Sequence, residues 1–179
     1  ALCHFALDSA CHPLVEERTA KIAEWAEHAS VNRIEAGKDY AVGIITSSTS
    51  YQYVKEACGN TYPVLKLGMV WPLPVEKIKT FSAGVGRVVV VEELDGFIEA
   101  HCRSIGVAVE GKSLFPCVGE LSQNMVAAQL GRPHCTGAQL EEGSAPRPPV
   151  MCAGCPHRGL FYTLKKNNLT VLGDIGCYT

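Results

Sequence analysis

The stretch RVVVVEE, residues 87–93, is the clearest strand in the sequence and decides the fold class. Consecutive β-branched residues favour extended backbone, and an unbroken apolar run is typical of a strand buried on both faces. The runs YAVGIIT (40–46) and PVLKLGMV (63–70) have the same character, and VAV (107–109) is a weaker example. The sequence therefore predicts strands near 40–46, 63–69, 87–92 and 107–110.

Amphipathic segments follow each of these strands and predict helices. They are TSYQYVKEAC (49–58), PVEKIKTFSAG (74–84), DGFIEAHCRSIG (95–106) and ELSQNMVAAQLG (120–131). Gly59, Pro74 and Gly84 suit the helix ends beside them. Four strand–helix repeats predict an α/β fold, a parallel sheet with helices on both faces. A further helix is expected over 13–29 with Pro13 in its first turn, and NRIEAGKDY (32–40) is expected to be a turn.

Polar residues follow two of the predicted strands at their carboxyl ends, where open α/β sheets bind ligands. They are Thr46, Ser47, Ser48, Thr49, Glu92 and Glu93. The hydroxyl-rich segment fits a phosphate cradle, but a helix N-cap cluster is the commoner use of serine and threonine. The glutamates fit an acid–base pair, but acidic residues are also favourable where a helix begins.

Composition excludes several classes of protein. The chain has 179 residues, of which 47% are hydrophobic and 19% charged, so a buried core is expected. The formal net charge of −2 and the lack of a basic stripe argue against nucleic-acid binding. No apolar run reaches the roughly 20 residues of a membrane span. The nine cysteines are odd in number and irregularly spaced, which favours reduced thiols and a cytoplasmic location. Cys58 and Cys102 are expected on helices.

The chain divides at GRPHCTGAQLEEGSAPRPP, residues 131–149, which contains four prolines and no periodicity. We expect an N-terminal helical segment over 1–37 and an α/β domain over 38–131. A linker over 132–147 and the truncated start of a second domain over 148–179 follow. The absence of an initiating methionine, and an end two residues after Cys177, predict a piece of a larger protein.

The motif MCAGCPHRG, residues 151–159, holds Cys152 and Cys155 in a C-x-x-C pair, and Cys177 follows. A four-cysteine zinc site cannot be completed within this chain, and no clear strand precedes the pair as in a thioredoxin-type redox site. An iron–sulfur cluster needs four thiolates, one of which would lie elsewhere. A tight turn with incidental cysteines is equally compatible with the pattern.

The residues around these cysteines suggest a phosphate site. His157 and Arg158 lie at a predicted helix N-terminus, where anions bind, although solvated first-turn residues are commoner. The segment LTVLGDIG (169–176) predicts a strand ending in a glycine turn that lets backbone approach a ligand.

Taken in order, several segments resemble one family. They are NRIEAG, VGIITSSTSYQYVKEA, VLKLGMVWPLP, RVVVVEELDGFIE, GKSLFPCVGELS, RPPVMCAGCPHRGLFYTLKK and GDIGCYT. Over residues 12–179 the chain resembles thiamine diphosphate-dependent 2-oxoacid:ferredoxin oxidoreductases, in the branch of the indolepyruvate:ferredoxin oxidoreductase alpha subunits. The last two segments are the most specific.

The resemblance implies an enzyme that oxidatively decarboxylates an arylpyruvate, passes electrons to ferredoxin through 4Fe-4S clusters and leaves the acyl group on coenzyme A. It implies Mg²⁺ with thiamine diphosphate, and a beta subunit as partner. Residues 38–131 would resemble the C-terminal domain of transketolase, and 148–179 would begin the pyrophosphate-binding domain.

The resemblance also implies site residues. Cys152, Cys155 and Cys177 match cysteines that ligate a cluster in several members, with Ala153 where the family usually has proline. The residues implied to lie beside the thiamine diphosphate are Cys155, His157, Gly176, Cys177, Tyr178 and Thr179. No catalytic residue falls in this chain, so the isolated fragment is expected to be inactive. The alternatives are a non-catalytic assembly module and a zinc-binding regulatory module.

Overall fold

The structure, a computed structural model, describes residues 2–135 and 151–173. The chain divides into two compact units, Ala1–Thr136 and Gly137–Thr179. Within the described ranges, no helix combines the length and apolar character needed to cross a membrane.

The first unit begins with a long helix, after which strands and helices alternate. Its elements are α1 (Leu2–His28), β1 (Arg33–Glu35), β2 (Val42–Ser47), α2 (Ser48–Cys58), β3 (Val64–Leu67), α3 (Val75–Ala83), β4 (Arg87–Val91), α4 (Phe97–Ser104) and α5 (Gln123–Gln129). Helices α2 to α5 lie where the sequence predicts them. Gly59 adopts a φ of 56° at the end of α2, and Pro74 and Gly84 flank α3.

The sheet has the order β1-β3-β2-β4. Strand β2 is parallel to β3 on one side and to β4 on the other, as predicted. Strand β1 is antiparallel to β3, and it replaces the turn expected in this segment. This strand has only three residues, of which two are charged and two are exposed, so its sequence carries no strand signal.

The strand expected near 107–110 is reduced to one parallel bridge between Val89 and Glu110. The Glu110 carbonyl accepts the Val90 N–H at 2.8 Å, and the Glu110 N–H donates to Val88 at 3.0 Å. Gly106, with a φ of 84°, turns the chain just before this segment, and a turn follows it. Only one residue of the run therefore meets β4.

The expectation that Pro13 begins the first helix is wrong, because α1 already begins at Leu2 and contains Pro13. Residues 2–12 include two alanines and two leucines, which are strong helix formers. They continue the helix on the amino-terminal side of the proline.

Side chains alternate along the strands and build a core on each face of the sheet. On one face α2 and α5 pack on β2, β3 and β4 through Val42, Ile44, Val54, Cys58, Val64, Val89, Val91, Val126 and Leu130. On the other face α3 and α4 pack through Ile45, Leu65, Leu67, Ile78, Phe81, Val88, Val90, Ile98 and Cys102. The predicted α/β architecture with helices on both faces is confirmed, and Cys58 and Cys102 are buried free thiols.

The described part of the second unit contains one helix, α6 (Arg158–Lys166). Residues 169–173, where the sequence predicts the start of a strand, are irregular. A strand needs a neighbour for its backbone groups, and the described residues of this unit supply none.

Candidate functional site

The cysteine motif of the second unit forms a β-turn. The Cys155 N–H donates to the Cys152 carbonyl at 3.1 Å. Gly154, the third residue of the turn, has a φ of 75°, which is why glycine stands there. Ala153 occupies the second position, where proline is favoured in such turns. Alanine in place of the family's proline is therefore compatible with this turn.

Arg158 holds this turn against the start of α6. Its Nη2 atom donates to the carbonyls of Met151 at 3.0 Å and Cys152 at 2.9 Å. The Arg158 N–H also donates to the Cys155 carbonyl at 3.2 Å. The sequence suggested a phosphate ligand or a solvated side chain for Arg158, but the guanidinium makes a local clamp. No sequence pattern reveals this contact, because the guanidinium binds backbone carbonyls, which every residue carries.

The thiols of this turn differ in exposure. Cys152 is exposed and Cys155 is half-buried. The His157 ring lies 6.1 Å from the Phe161 ring, centroid to centroid, one turn along α6. The predicted partners Gly176, Cys177, Tyr178 and Thr179 lie outside the described residues. Convergence of the three cysteines therefore stays a prediction.

The donor set within the described residues is incomplete for a metal. No group of three or more histidine, cysteine, aspartate or glutamate side chains in those ranges could hold an ion. Two thiols on one turn are half of the four that a cubane cluster or a tetrathiolate zinc site requires. The described turn alone therefore fits neither group.

A second candidate lies at the carboxyl edge of the sheet in the first unit. Strand β2 continues through α2 on one face, whereas β4 continues through α4 on the other. The gap between β2 and β4 is thus a topological switch point, where open α/β sheets bind ligands. It forms a crevice of about 350 Å³ lined by Ser47, Ser48, Ser50, Val70, Glu92, Glu93, Asp95, Phe97 and Ile98.

Glu92 is committed to structure in this crevice. The residue is 7% exposed, and its carboxylate accepts the N–H groups of Ile98 at 2.8 Å and Glu99 at 3.0 Å. Burial raises the pKa of Glu92, although those two hydrogen bonds act in the opposite direction. Glu93 is exposed. The structure thus favours the helix-start interpretation of this pair over an acid–base role.

Glu99, which sequence reasoning missed, joins the loops that border the crevice. It is 3% exposed, accepts the Lys112 N–H at 2.8 Å and pairs with Arg103 at 2.6 Å. Lys112 in turn donates to the Glu92 carbonyl at 2.7 Å. The spacing of Glu99 and Arg103 by four residues predicts a helical ion pair. Its burial depends on the folded loops and has no local signal.

Exposed apolar residues mark the same edge. Trp71 and Phe97 are 62% and 48% exposed and make an edge-to-face contact with ring centroids 6.2 Å apart. Val70 and Leu94 are also exposed. Ser48, which lines the crevice, and Leu94, which lies between the lining residues Glu93 and Asp95, have φ values of 49° and 55°. Such values are costly for residues other than glycine. Strained backbone of this kind clusters at functional sites.

The chain has a structural counterpart among solved structures. A 2-oxoglutarate:ferredoxin oxidoreductase from Magnetococcus marinus matches with a TM-score of 0.53 and 23% identity. The match covers 68% of this chain and 23% of that one. At this identity the likeness establishes the fold. No protein-family model matches the chain.

Sequence relatives indicate a more specific class of protein than the structural likeness does. The chain is 35% identical to indolepyruvate oxidoreductase subunit IorA of Archaeoglobus fulgidus over 93% of its length. It is 34% identical to the subunit of the same name from Pyrococcus horikoshii over 94% of its length. The chain spans about 30% of the length of these relatives. The resemblance to indolepyruvate oxidoreductase subunits predicted from the sequence is confirmed.

Proposed function

We propose that the chain is part of a subunit of an oxidoreductase that oxidatively decarboxylates arylpyruvates such as indolepyruvate. The observation that carries this proposal is identity of about one third to indolepyruvate oxidoreductase subunits over nearly the whole chain. The fold shared with a 2-oxoacid:ferredoxin oxidoreductase supports the same assignment.

The full-length enzyme would use thiamine diphosphate with Mg²⁺ and 4Fe-4S clusters, reduce ferredoxin and form an aryl-acetyl-CoA from coenzyme A. When bound, thiamine diphosphate supplies the electron sink for decarboxylation. A beta subunit would be the partner of this chain, in the cytoplasm. The solved counterpart carries 2-oxoglutarate, coenzyme A and succinyl-CoA, which is consistent with a thioester product.

Within this chain the turn at 152–155 would present its thiols toward the cofactor. The Arg158 clamp fixes the backbone of that turn, and the exposed Cys152 can reach a ligand supplied by the rest of the subunit. Cys152, Cys155 and Cys177 would be the metal ligands, and His157, Gly176, Tyr178 and Thr179 would lie beside the diphosphate.

The test compares cysteine variants of the full-length subunit, assembled with its partner under anaerobic conditions. Cys152→Ser, Cys155→Ser and Cys177→Ser are expected to lower iron content or weaken thiamine diphosphate binding. Cys117→Ser, an exposed cysteine of the first unit, is the matched control. Unchanged iron and unchanged cofactor affinity in all three would assign these cysteines to the turn alone. Zinc in place of iron would support a zinc-binding module.

The isolated chain is expected to be inactive. Reduction of viologen by residues 1–179 with indolepyruvate, thiamine diphosphate, Mg²⁺ and coenzyme A should not exceed a heat-killed control. Turnover above that control would overturn this expectation, because it would require a complete active centre within the chain.

A second candidate function, a non-catalytic assembly module, is favoured by the apolar patch of Val70, Trp71, Leu94 and Phe97. Such patches on a folded surface mark interaction sites. Trp71→Ser with Phe97→Ser should weaken co-purification of the full-length subunits if this edge is an interface. Lys79→Ser, at an exposed position on α3, serves as the control.

A further inference from the structure

A second cleft lies on the other side of the start of α2, between that helix and β3. Its volume is about 450 Å³. It is lined by Arg33, Ser47, Ser48, Tyr51, Gln52, Lys66, Leu67, Gly68 and Val70. Two of these residues are cations and none is an acid, so the lining carries a net positive charge.

Lys66 is a cation without a counter-ion. It is half-buried, and its ammonium lies 5.5 Å from the centroid of the Tyr51 ring. Its ammonium has no ion pair or hydrogen bond to the part of the chain that the structure describes. A partly desolvated ammonium that contacts an aromatic ring but no anionic group is favourably placed to bind an anion.

Arg33 holds the Tyr51 ring from the neighbouring strand. Its Nε atom donates to Glu35 at 3.0 Å, and its Nη2 atom donates to the Tyr51 hydroxyl at 3.3 Å. Glu35 does not line the cleft, and it also accepts from Tyr51 at 2.8 Å and pairs with Lys55 at 3.0 Å. A guanidinium has five N–H donors, so Arg33 keeps donors for a ligand while Glu35 fixes its position.

The start of α2 adds unsatisfied donors to the same cleft. Ser47 is the N-cap by position, but its side chain makes no capping hydrogen bond. No side chain among the described residues accepts from the first-turn N–H groups, which carry the positive end of the helix dipole. The helix has 11 residues.

A buried hydroxyl lies beneath the start of this helix, next to the cleft and not in its lining. Thr46 is 0% exposed, and its Oγ1 atom has no partner within the described ranges. Thr46 is the register partner of Lys66 on the adjacent parallel strand, so both side chains lie on the same face of the sheet. A fully buried polar atom of this kind normally has a hydrogen-bond partner.

We propose that this cleft binds the phosphoryl group of a small phosphate-containing ligand. Lys66 and Arg33 would neutralise the charge, and the first-turn N–H groups of α2 would donate to its oxygens. Val70, which is 42% exposed, gives an apolar surface on which an organic group attached to the phosphate can lie. The volume is within the usual range for small-molecule sites.

The test is calorimetric titration of the chain with inorganic phosphate, pyrophosphate and glycerol 3-phosphate, at ionic strength matched with NaCl. All three probes should bind, and tighter binding of the ester than of inorganic phosphate would identify an organic phosphate as the ligand. Lys66→Gln should weaken binding by about tenfold or more, the loss typical of a charge-assisted hydrogen bond. Lys66→Arg should retain it.

Lys38→Gln is the matched control, because Lys38 is exposed and precedes the amino end of β2, away from the cleft at its carboxyl end. This variant should bind the probes as the wild type does. Circular dichroism should show native folding of each variant. Equal binding by wild type and Lys66→Gln, or heats no larger than those of NaCl alone, would overturn the proposal.

Discussion

Both units of the chain contain amphipathic helices, but only in the first unit are the apolar faces of these helices buried. In the first unit, helices α2 to α5 cover both faces of a sheet, and Ile44 and Val89 are 0% exposed. In the second unit, α6 has no buried residue, and Leu160 and Tyr162 are 56% and 67% exposed. An amphipathic pattern therefore predicts a helix, but only a sheet of sufficient size turns its apolar face into a core.

The largest expected difference between the units is in thiol reactivity. Cys102 is fully buried, and burial raises its pKa to about 12, whereas Cys152 is exposed. Native Cys102 should react with iodoacetamide at least about a thousandfold more slowly than Cys152, since the thiolate is the nucleophile. Peptide mass spectrometry after timed alkylation measures both rates, and alkylation in urea is the control. Comparable native rates would contradict the burial of α4 on the sheet.

The next largest difference concerns apolar truncation. Ile44→Ala should lower the free energy of unfolding by about 2–5 kcal/mol, because it leaves a cavity at the centre of the sheet. Leu160→Ala on α6 should change it by less than about 0.5 kcal/mol. Both tryptophans, Trp25 and Trp71, lie in the first unit, so urea unfolding followed by fluorescence reports on that unit. A large effect of Leu160→Ala would show that α6 contributes to the same core.

Elements with a clear local sequence pattern could be predicted, and elements that depend on pairing with distant residues could not. Strands β2, β3 and β4 are valine, isoleucine and leucine runs, and the ends of α2 and α3 carry proline and glycine, so local sequence is sufficient for them. Strand β1 was missed because Arg33–Glu35 has only three residues, two of them charged, and is a strand only through its pairing with β3. The run at 107–109 was overestimated because its contact with β4 is limited to Glu110.

The same distinction between local sequence patterns and long-range contacts applies to the candidate sites. The turn at 152–155 could be predicted because its cysteines and glycine are close together in the sequence. The convergence of Cys177 with this turn remains a prediction. The cleft between α2 and β3 could not be predicted from the sequence, because Arg33, Tyr51 and Lys66 come from three separate segments. Arg33 reaches the other two only through the antiparallel pairing of β1, which the sequence does not reveal. Glu99 was missed for a similar reason, since its partner Lys112 lies beyond α4.

A matched pair of glycine substitutions sharpens the comparison between the units. A Cβ atom at Gly37 would collide with the backbone of Tyr62 and Pro63, whereas one at Gly159 in α6 would meet nothing within 4 Å. Gly37→Ala should destabilise the first unit by about 1–3 kcal/mol. Gly159→Ala should stabilise α6 by about 0.5–1 kcal/mol, because glycine is unfavourable inside helices.

Urea unfolding followed by tryptophan fluorescence measures the effect of Gly37→Ala, and amide hydrogen exchange over 158–166 measures that of Gly159→Ala. Gly59→Ala, at a φ of 56° with open space around its Cβ, separates backbone strain from collision. Unchanged stability of Gly37→Ala would show that the segment before β2 can move away from Pro63.

The smallest expected effects are on the acid dependence of stability, for which Glu35 and Glu92 of the first unit give opposite predictions. Burial raises the pKa of Glu35, but hydrogen bonds from Tyr51, Lys55 and Arg33 outweigh it and lower the pKa from 4.5 to about 2. The folded state thus binds this proton less tightly than the unfolded state does. The stabilisation by ionised Glu35 is therefore present above pH 4.5 and is lost as the pH falls toward 2.

The contribution of Glu92 to stability should change with pH in the opposite direction, because burial raises the pKa of Glu92 above 4.5. Its folded state binds the proton more tightly, so this contribution is present below pH 4.5 and is lost as the pH rises through the folded pKa. The stability of wild type minus that of Glu35→Gln should increase with pH, and the corresponding difference for Glu92→Gln should decrease. The change for Glu35 should be about 1 kcal/mol, because partly exposed pairs are screened. Urea unfolding from pH 3 to pH 7 (about the range where carboxylates titrate) measures both, and slopes of the same sign would contradict the different surroundings of these two carboxylates.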